Sequence, residues 1–326
     1  MIDRRTFAGA CAAALVIARS IAVAQTAGKM HRIGFLLGAS GQSVASLFGA
    51  LSDGLRDLGY VEGRNVIFER RYADGHMDRL PSLAAELVQL QVEVIVTGSS
   101  IHVAAARQAT KTIPIVMVFT ADPVQAGFIK SLTRPGGNVT GLSADASPEL
   151  WGKYLAILKD VVPKLSRVAV LGQVKTKVEF EEIETASRKL DVALEVVDMQ
   201  NPGDLDGAFS TMTGKRVGAL LVVVSPLTYL LRESIAESAI KHHLPTISNA
   251  NQYAEAGLLM SYGPRLEDLY RQAAVYVDKI LRGAVPAELP VEQPSRFELI
   301  INLKTATALG LTIPPALLLR ANEIIQ

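Results

Sequence analysis

Hydroxyl and amide side chains recur directly after the apolar runs of this sequence. In open parallel sheets, ligands bind beyond the carboxyl ends of the strands. Ser99 and Ser100 follow the apolar run 92–97 and open an Ala-rich segment. Their hydroxyls, together with the free N–H groups of a helix start, could hold a carboxylate without a formal positive charge. Each serine could equally serve only as a helix cap. The candidate ligand-binding residues are Ser40, Ser43, Ser99, Ser100, Thr120, Asp122, Gln173, Ser225, Asn249, Tyr253 and Tyr262.

The motifs of common enzyme and metal sites are missing from the sequence. No G-x-G-x-x-G follows the first apolar run, and no P-loop, G-x-S-x-G or H-E-x-x-H pattern occurs. His242 and His243 are adjacent, and because neighbouring residues on a helix point apart, they make a poor chelate. The single cysteine, Cys11, excludes an intramolecular disulfide and a thiolate zinc site. We therefore predict no catalytic residue, no metal and no cofactor.

The composition is that of a globular protein without a charge excess. Of 326 residues, 49% are hydrophobic and 20% are charged, which excludes an intrinsically disordered chain. Lys and Arg number 33 against 32 Asp and Glu, so the formal net charge of +1 gives no support to nucleic-acid binding. The length is sufficient for two ordinary domains.

Two similar series of strands and helices account for most of the chain. Short apolar runs such as Arg32–Leu37 predict buried strands, and stretches with helical spacing such as Val44–Leu58 predict the helices between them. The pattern begins again at Arg167–Gly172 and includes a single predicted helix at Tyr229–Lys241. Strands that alternate with helices imply parallel sheets. The predicted fold class is α/β, with two Rossmann-like lobes built on parallel sheets.

The first 24 residues predict a signal peptide. Ala8–Ala18 is an unbroken run of small, apolar residues of the length expected for a leader core, and Ala22–Ala24 supplies an A-x-A cleavage site. The run is too short to cross a bilayer of roughly 30 Å as a helix. Arg4 and Arg5 resemble a twin-arginine export signal, and a buried N-terminal helix is the alternative. We expect an exported protein from which residues 1–24 are removed.

Several segments together carry a family resemblance. They are Leu58–Asn65 (LGYVEGRN), Ile113–Val116 with Asp122–Val124, Arg134–Gly141 (RPGGNVTG), Gly257–Gly263 (GLLMSYG) and Leu289–Leu319. From Met30 almost to Gln326, the chain resembles the solute-binding proteins of ABC importers, in the family that includes tryptophan- and tyrosine-binding members. The resemblance implies a type I periplasmic binding fold, in which two lobes joined by three crossovers close on a ligand by a hinge. We expect a periplasmic monomer that passes a small molecule to an ABC permease and its ATPase, with no nucleic-acid binding and no stable membrane insertion.

The same resemblance suggests where the chain passes between the lobes. We expect the first crossover near Thr140–Ala144 and the second near Asn249–Ala256. Residues from Gly257 to Gly283 then return to the first lobe as a strand and a helix, and the tail crosses again near Pro286. The expected division is 30–142 with 257–285 for the N-terminal lobe, and 143–256 with 286–326 for the C-terminal lobe.

The resemblance also narrows the ligand class. The family's amino-acid binders hold the carboxylate with hydroxyls and backbone N–H groups, and they place the side chain between apolar or aromatic walls. Ser99, Ser100 and Thr120 match the polar part. Asp122 could take an α-ammonium group or cap a turn before Pro123. The candidate aromatic walls are Tyr253, Tyr262, Phe119 and Trp151, with core or surface positions favoured for the last two. The expected ligand is an aromatic amino acid or a related aryl carboxylate.

Two other protein classes share a two-lobe design. An enzyme with an interlobe active site needs to hold a nucleotide or sugar phosphate, and the strand ends offer no glycine-rich phosphate loop and no cluster of Arg or Lys. The sensor domain of a regulator would need a helix-turn-helix or a transmembrane span, and neither fits this sequence. A solute-binding protein is therefore favoured, and an enzyme acting on a small metabolite is the alternative.

Overall fold

Two β-sheets form the centres of two lobes. The computed structural model of the chain describes residues 29–144, 148–172 and 177–326. The predicted leader at 1–24 and the candidate residue Gln173 lie outside the described residues. Within them, the predicted α/β class and the arrangement in two lobes with largely parallel sheets are confirmed.

The first lobe is built on a five-stranded parallel sheet. Its elements are β1 (His31–Leu37), α1 (Ala45–Asp57), β2 (Val66–Tyr72), α2 (Leu80–Gln89), β3 (Val94–Thr97), α3 (Ser100–Ala109), β4 (Ile115–Thr120) and β5 (Val139–Ser143). The strand order is β2-β1-β3-β4-β5. The inner strand β3 is a continuous run of buried residues, as expected where helices cover both faces of a sheet. The edge strand β2 is less buried, in agreement with its alternating sequence.

The second lobe contains a seven-stranded sheet in the order β12-β11-β10-β9-β8-β6-β7. The remaining elements are α4 (Pro148–Val161), β6 (Arg167–Leu171), α5 (Lys177–Lys189), β7 (Ala193–Val197), α6 (Leu205–Gly214), β8 (Ala219–Val222), α7 (Pro226–Leu230), α8 (Arg232–Lys241), β9 (Thr246–Ser248), α9 (Asn251–Glu255), β10 (Met260–Gly263), α10 (Leu266–Leu281), β11 (Glu298–Asn302), α11 (Leu303–Ala308), α12 (Pro315–Leu318) and β12 (Glu323–Ile325). Neighbouring strands are parallel except for β10 and β11, which pair antiparallel.

Two elements differ from the sequence prediction. Val139–Ser143, which the sequence did not predict as a strand, is β5 and pairs with β4, and the chain leaves the first sheet after Ser143, within the segment expected for the first crossover. The single helix expected at Tyr229–Lys241 is two helices that meet at Leu231. The first of them starts earlier than expected because Ser225 caps it and Pro226 stands at its first turn, where proline is well tolerated.

The second crossover lies later in the chain than expected. Segment 249–256 stays in the second lobe, and β10 pairs with β9 and β11 instead of returning to the first sheet. The physical reason is that Leu259 and Met260 are fully buried in the apolar core of the second lobe. The chain therefore crosses between Gly263 and Leu266, and of the strand and helix expected to return, the helix α10 alone packs against α1 and β4 of the first lobe.

The third crossover also lies beyond its expected position at Pro286. The backbone N–H of Val291 donates to Leu132 O at 2.7 Å, and that of Glu292 donates to Gly141 O at 3.1 Å. These acceptors belong to the first lobe, whereas β11 lies in the second sheet. The tail therefore follows the first lobe as far as Glu292 before it crosses.

The two lobes contact each other across the space between their sheets. One continuous cluster of buried apolar side chains includes Phe35 and Leu51 of the first lobe and Leu220 and Tyr253 of the second. A Cβ atom on Gly75 of the first lobe would come within 2.9 Å of Leu230 Cδ2 in the second. The lobes are thus close together at the cleft, and a side chain at position 75 would require the Leu230 side chain to move.

Candidate ligand-binding cleft

A cavity of about 50 Å³, room for a few water molecules, lies between the lobes. It is bordered by the carboxyl ends of β1, β3 and β4 in the first lobe and of β8 in the second, which is where open α/β sheets bind ligands. Its surface is largely apolar, and no Lys or Arg is among the described residues that line it. Its lining includes the side chains of Ser99, His102, Phe119, Ser225, Tyr229 and Tyr270.

A buried histidine organises the polar corner of the cavity. His102 lies on α3, one turn after Ser99, and is only 3% exposed. The backbone N–H of Gly38 donates to its Nε2 at 2.7 Å, and its Nδ1 lies 3.1 Å from Ser99 Oγ. Burial lowers the pKa of His102 to about 3, so the imidazole is neutral at physiological pH.

The close approach of the first strand to this histidine depends on a glycine. A Cβ atom on Gly38 would lie 2.8 Å from His102 Nε2 and 2.7 Å from Met77 Sδ. Met77 could move because its side chain is flexible, but the imidazole is held at both nitrogens. Gly38 is therefore required for the hydrogen bond between the backbone and His102.

A bulge in β4 places Phe119 at the cavity. The β4–β5 register shifts between Met117 and Thr120, and Phe119 has a φ of +56°. Such a conformation costs of the order of 1–3 kcal/mol for a residue other than glycine. Opposite the bulge, Gly141 allows close contact, because a Cβ there would lie 2.2 Å from Met117 O. Phe119 thus lines the cleft, although a core or surface position is favoured by the sequence alone.

The hydroxyl network on the second-lobe side is closed on itself. Ser225 Oγ caps α7 by accepting from Thr228 N at 3.1 Å, and Ser225 N donates to Thr228 Oγ1 at 2.9 Å. Thr228 Oγ1 lies 2.8 Å from the hydroxyl of the fully buried Tyr253. Burial also raises the pKa of Tyr253 far above its usual value. Tyr253 therefore supports α7 from behind and does not line the cavity.

Two further tyrosines contribute aromatic surface to the cavity. Tyr229 comes from α7, and the guanidinium carbon of Arg232 lies 4.7 Å from its ring centre. Tyr270 comes from α10 and packs edge-on against Phe35 with 6.0 Å between ring centres. Burial raises the pKa of Tyr229 to about 12 and that of Tyr270 further still, so both phenols are neutral at physiological pH. Neither residue stands out in the sequence, because each lies inside a helix.

Of the candidate site residues predicted from the sequence, the structure brings Ser99 and Ser225 to the cavity. Thr120 is fully buried and donates to Gly98 O at 2.9 Å. Asp122 accepts from Gln125 N at 3.0 Å and so caps a turn. Ser100 Oγ donates only a weak hydrogen bond, to Ala121 O at 3.4 Å. Thr120, Asp122 and Ser100 are close in sequence to the site but outside the cavity lining.

The other predicted residues make local contacts elsewhere. Ser40 and Ser43 hydrogen-bond to each other in the turn before α1, with 3.1 Å between their Oγ atoms. Asn249 accepts from Val224 N at 2.9 Å and so ties together the ends of two strands. Tyr262 accepts from Lys153 Nζ at 2.7 Å and stacks on another ring in the second lobe. That ring is Phe297, which was not among the predicted residues. The remaining predicted aromatic residue, Trp151, lies in the second-lobe core.

The described residues also bear on metal binding and membrane insertion. In residues 29–144, 148–172 and 177–326, no group of three or more His, Cys, Asp or Glu side chains is placed to hold a metal ion. In the same part of the chain, none of the helices combines the length and the apolar character needed to cross a bilayer.

Comparison with known proteins identifies the family. The family model for ABC transporter substrate binding proteins matches residues 32–325. A tyrosine-binding protein of Clostridioides difficile (strain R20291) is 28% identical over 260 residues, which cover 79% of this chain and 74% of that protein. Among solved structures, a conserved domain protein from Vibrio cholerae is 27% identical, with a TM-score of 0.84. An ABC domain in complex with L-Trp from Streptococcus pneumonia is 26% identical, with a TM-score of 0.83.

Each of these two structural matches covers 91% of this chain and 100% of the other. Together the comparisons confirm the family resemblance and the type I periplasmic binding fold expected from the sequence.

Proposed function

We propose, since this chain belongs to the ABC transporter substrate-binding proteins, that it captures an aromatic amino acid or a related aryl carboxylate between its lobes. The ligand's carboxylate lies at the first-lobe corner, near Ser99 and the start of α3. Its ring lies among Phe119, Tyr229 and Tyr270. Closure of the lobes completes the site, and the loaded protein delivers its ligand to the permease of an ABC importer.

The combination of side chains at one cavity carries this proposal. Three aromatic rings from β4, α7 and α10 border a space that has a serine hydroxyl at its polar corner. Aromatic surfaces pack favourably against a flat apolar ring. A hydroxyl and the free N–H groups of a helix start can hold a carboxylate where no cationic side chain is present. A sugar would instead need many polar partners, which this apolar lining does not provide.

Two relatives support the same ligand class. One is named a tyrosine-binding protein, and the other was solved in complex with L-Trp. Both ligands carry a carboxylate and an aromatic ring. These relatives are 26–28% identical to this chain, and the side chains of its own cleft determine which aromatic ligand it binds.

The proposed cellular location of the protein is the periplasm. Members of this family typically act outside the cytoplasm, and the N-terminal 24 residues have the pattern of an export signal. The mature protein is proposed to begin at Gln25 and to act as a monomer. Intact-mass analysis of the protein from the native periplasm should give Gln25 as the first residue, and a full-length cytosolic product would contradict the export proposal.

A thermal-shift screen of the mature protein tests the ligand class. The panel contains L-tryptophan, L-tyrosine, L-phenylalanine and indole-3-propionate, with L-leucine and myo-inositol as non-aromatic comparisons. A ligand that binds only the native state raises the melting temperature, and at 100 times its Kd the gain is about 2.7 kcal/mol. We expect the aryl carboxylates to give the largest shifts. A shift with myo-inositol and none with any aryl carboxylate would contradict the proposal.

A matched pair of variants tests whether the ligand that raises the melting temperature binds in this cavity. Phe119→Leu removes an aromatic wall, whereas Phe297→Leu makes the same change beside Tyr262 and outside the cavity. We expect Phe119→Leu to reduce the ligand-induced shift, and Phe297→Leu to retain it. The opposite pattern would place the ligand elsewhere.

A further inference from the structure

The hydrogen bonds of His102 determine which ring nitrogen carries the proton. Gly38 N–H is a donor only, so Nε2 must accept, and a neutral imidazole then carries its proton on Nδ1. The Nδ1–H group faces Ser99 Oγ at 3.1 Å and donates to it. The opposite tautomer would set two N–H groups against each other within 2.7 Å.

This arrangement leaves the hydroxyl proton of Ser99 for the cavity. Ser99 Oγ accepts from His102, and it makes no helix-cap hydrogen bond in α3. Among the described residues, His102 is its one hydrogen-bonding partner. A hydroxyl has one proton to give. Since Ser99 borders the cavity, its O–H is free to point into the space between the lobes.

We propose that His102 is a positioning residue that fixes Ser99 as a hydrogen-bond donor toward the ligand. The inference rests on the proposed function and deepens it, because it names the group that a ligand must present at this corner. That group is an acceptor such as a carboxylate oxygen. A ligand with an ammonium or amine N–H at the same place would leave the Ser99 hydroxyl proton without an acceptor and would have only the second lone pair of that oxygen to bind.

The surroundings of His102 hold its imidazole in place, so the Ser99 hydroxyl remains a hydrogen-bond donor toward the cavity. His102 is held on one side by the backbone N–H of Gly38, directly after β1, and lies within its own helix on the other. Gly98, directly after β3, also packs against the ring, because a Cβ at Gly98 would lie 3.2 Å from His102 Nδ1. A flipped imidazole would lose the acceptor for Gly38 N–H and the donor to Ser99, so these two hydrogen bonds favour the observed orientation.

Nitrogen NMR of the ligand-free protein tests the tautomer. The protein is labelled with ¹⁵N-histidine, and the His102 signals are assigned by their loss in His102→Gln. We expect a protonated Nδ1 and an unprotonated Nε2 that stay unchanged between pH 5 and pH 8. A protonated Nε2, or an imidazolium in that range, would overturn the proposal. Because this experiment needs no ligand, it decides on the donor arrangement even where no aryl carboxylate binds.

Two variants separate a positioning role from a packing role. The Asn side-chain amide lies near the place of Nδ1, so His102→Asn can still donate to Ser99. The Gln amide lies near the place of Nε2, so His102→Gln can still accept from Gly38 but loses the donor to Ser99. Both variants remove the ring, and both are checked for cooperative melting before titration.

Calorimetry with L-tryptophan gives the second readout. We expect Kd to rise by about tenfold in His102→Gln and by less than about threefold in His102→Asn. Equal weakening in both variants, or wild-type affinity in His102→Gln, would contradict the positioning role. If the wild-type protein binds no member of the aryl panel, the proposed function fails, and the NMR result still decides on the tautomer.

Discussion

The two sides of the cleft each present a serine at a strand end, but the two serines have different partners. Ser99, in the first lobe, accepts from a buried imidazole and keeps its own proton for the cavity. Ser225, in the second lobe, exchanges hydrogen bonds with Thr228 and caps its own helix. The same residue type at equivalent positions therefore offers a ligand a donor on one side and supports the fold on the other.

The difference shows that the partner of a hydroxyl decides its role. Ser99 opens the longer helix α3 yet makes no cap bond with its side chain. Ser225 opens the short α7, and its side chain is used in a reciprocal cap. Position at the end of a strand brings both residues to the cleft, and only the first lobe supplies a histidine that leaves a hydroxyl free.

The largest expected effect is a pH-dependent loss of unfolding free energy caused by the buried His102. Burial lowers the pKa of His102 to about 3 in the folded protein, against its ordinary value of 6.5 in an unfolded chain, so the unfolded chain takes up a proton first as the pH falls. The contribution of the neutral imidazole to stability is complete above about pH 6.5 and is lost as the pH drops toward 3. At pH 5, the loss is about 2 kcal/mol relative to pH 7.

Urea unfolding of the wild type and of His102→Gln at pH 7 and pH 5 measures this loss. Other titrating groups are common to both proteins, so the stability difference between them isolates His102. We expect the wild-type advantage to shrink by about 2 kcal/mol at pH 5. A difference that stays constant with pH would mean that His102 is not a buried neutral group.

A smaller effect is expected for the second-lobe serine. Ser225→Ala removes the side-chain cap of α7 and should cost about 1 kcal/mol of unfolding free energy. Ser225→Thr, which keeps a capping oxygen, should lose less. Because the Ser225 hydroxyl is engaged within its own lobe, calorimetry should show a Kd for the aryl ligand within about twofold of wild type. A tenfold loss of affinity with unchanged unfolding would reverse the assignment of the two serines.

The smallest effect is expected for Ser100, the neighbour of Ser99. Its hydroxyl makes only a 3.4 Å contact with Ala121 O and lies outside the cavity lining. We expect Ser100→Ala to change the unfolding free energy by less than about 0.5 kcal/mol and Kd by less than about twofold. A strong loss of affinity in this variant would show that both serines hold the ligand.

The repeated strand and helix pattern was sufficient to predict most of the fold. Buried apolar runs such as 92–97 are short and have clear boundaries, so their strands could be identified locally. β5 could not, because Val139–Ser143 contains Thr, Gly and Ser and follows a turn-rich segment. The second crossover was misplaced because an apolar run such as Leu258–Met260 can complete either sheet. Only its burial among second-lobe residues decides between the two.

The site was less predictable than the fold for a related reason. Strand ends can be located in a sequence, and this rule found Ser99 and Ser225. His102 and Tyr270 lie inside helices, and Tyr270 reaches the cleft only because α10 crosses back to the first lobe. Phe119 lines the cavity through a bulge and a left-handed backbone, which the residue types of β4 do not reveal.

Calorimetric titration of Ser99→Ala measures whether the first-lobe serine holds the ligand. The ligand is L-tryptophan, or the aryl carboxylate with the largest thermal shift in the panel, and the wild type is titrated in parallel. A hydrogen bond to a charged group is worth roughly 1.5–3 kcal/mol, so we expect Kd to rise by at least about tenfold. Cooperative melting should remain near that of the wild type. A Ser99→Ala variant with wild-type affinity would contradict the account, because the first-lobe serine would then hold no part of the ligand.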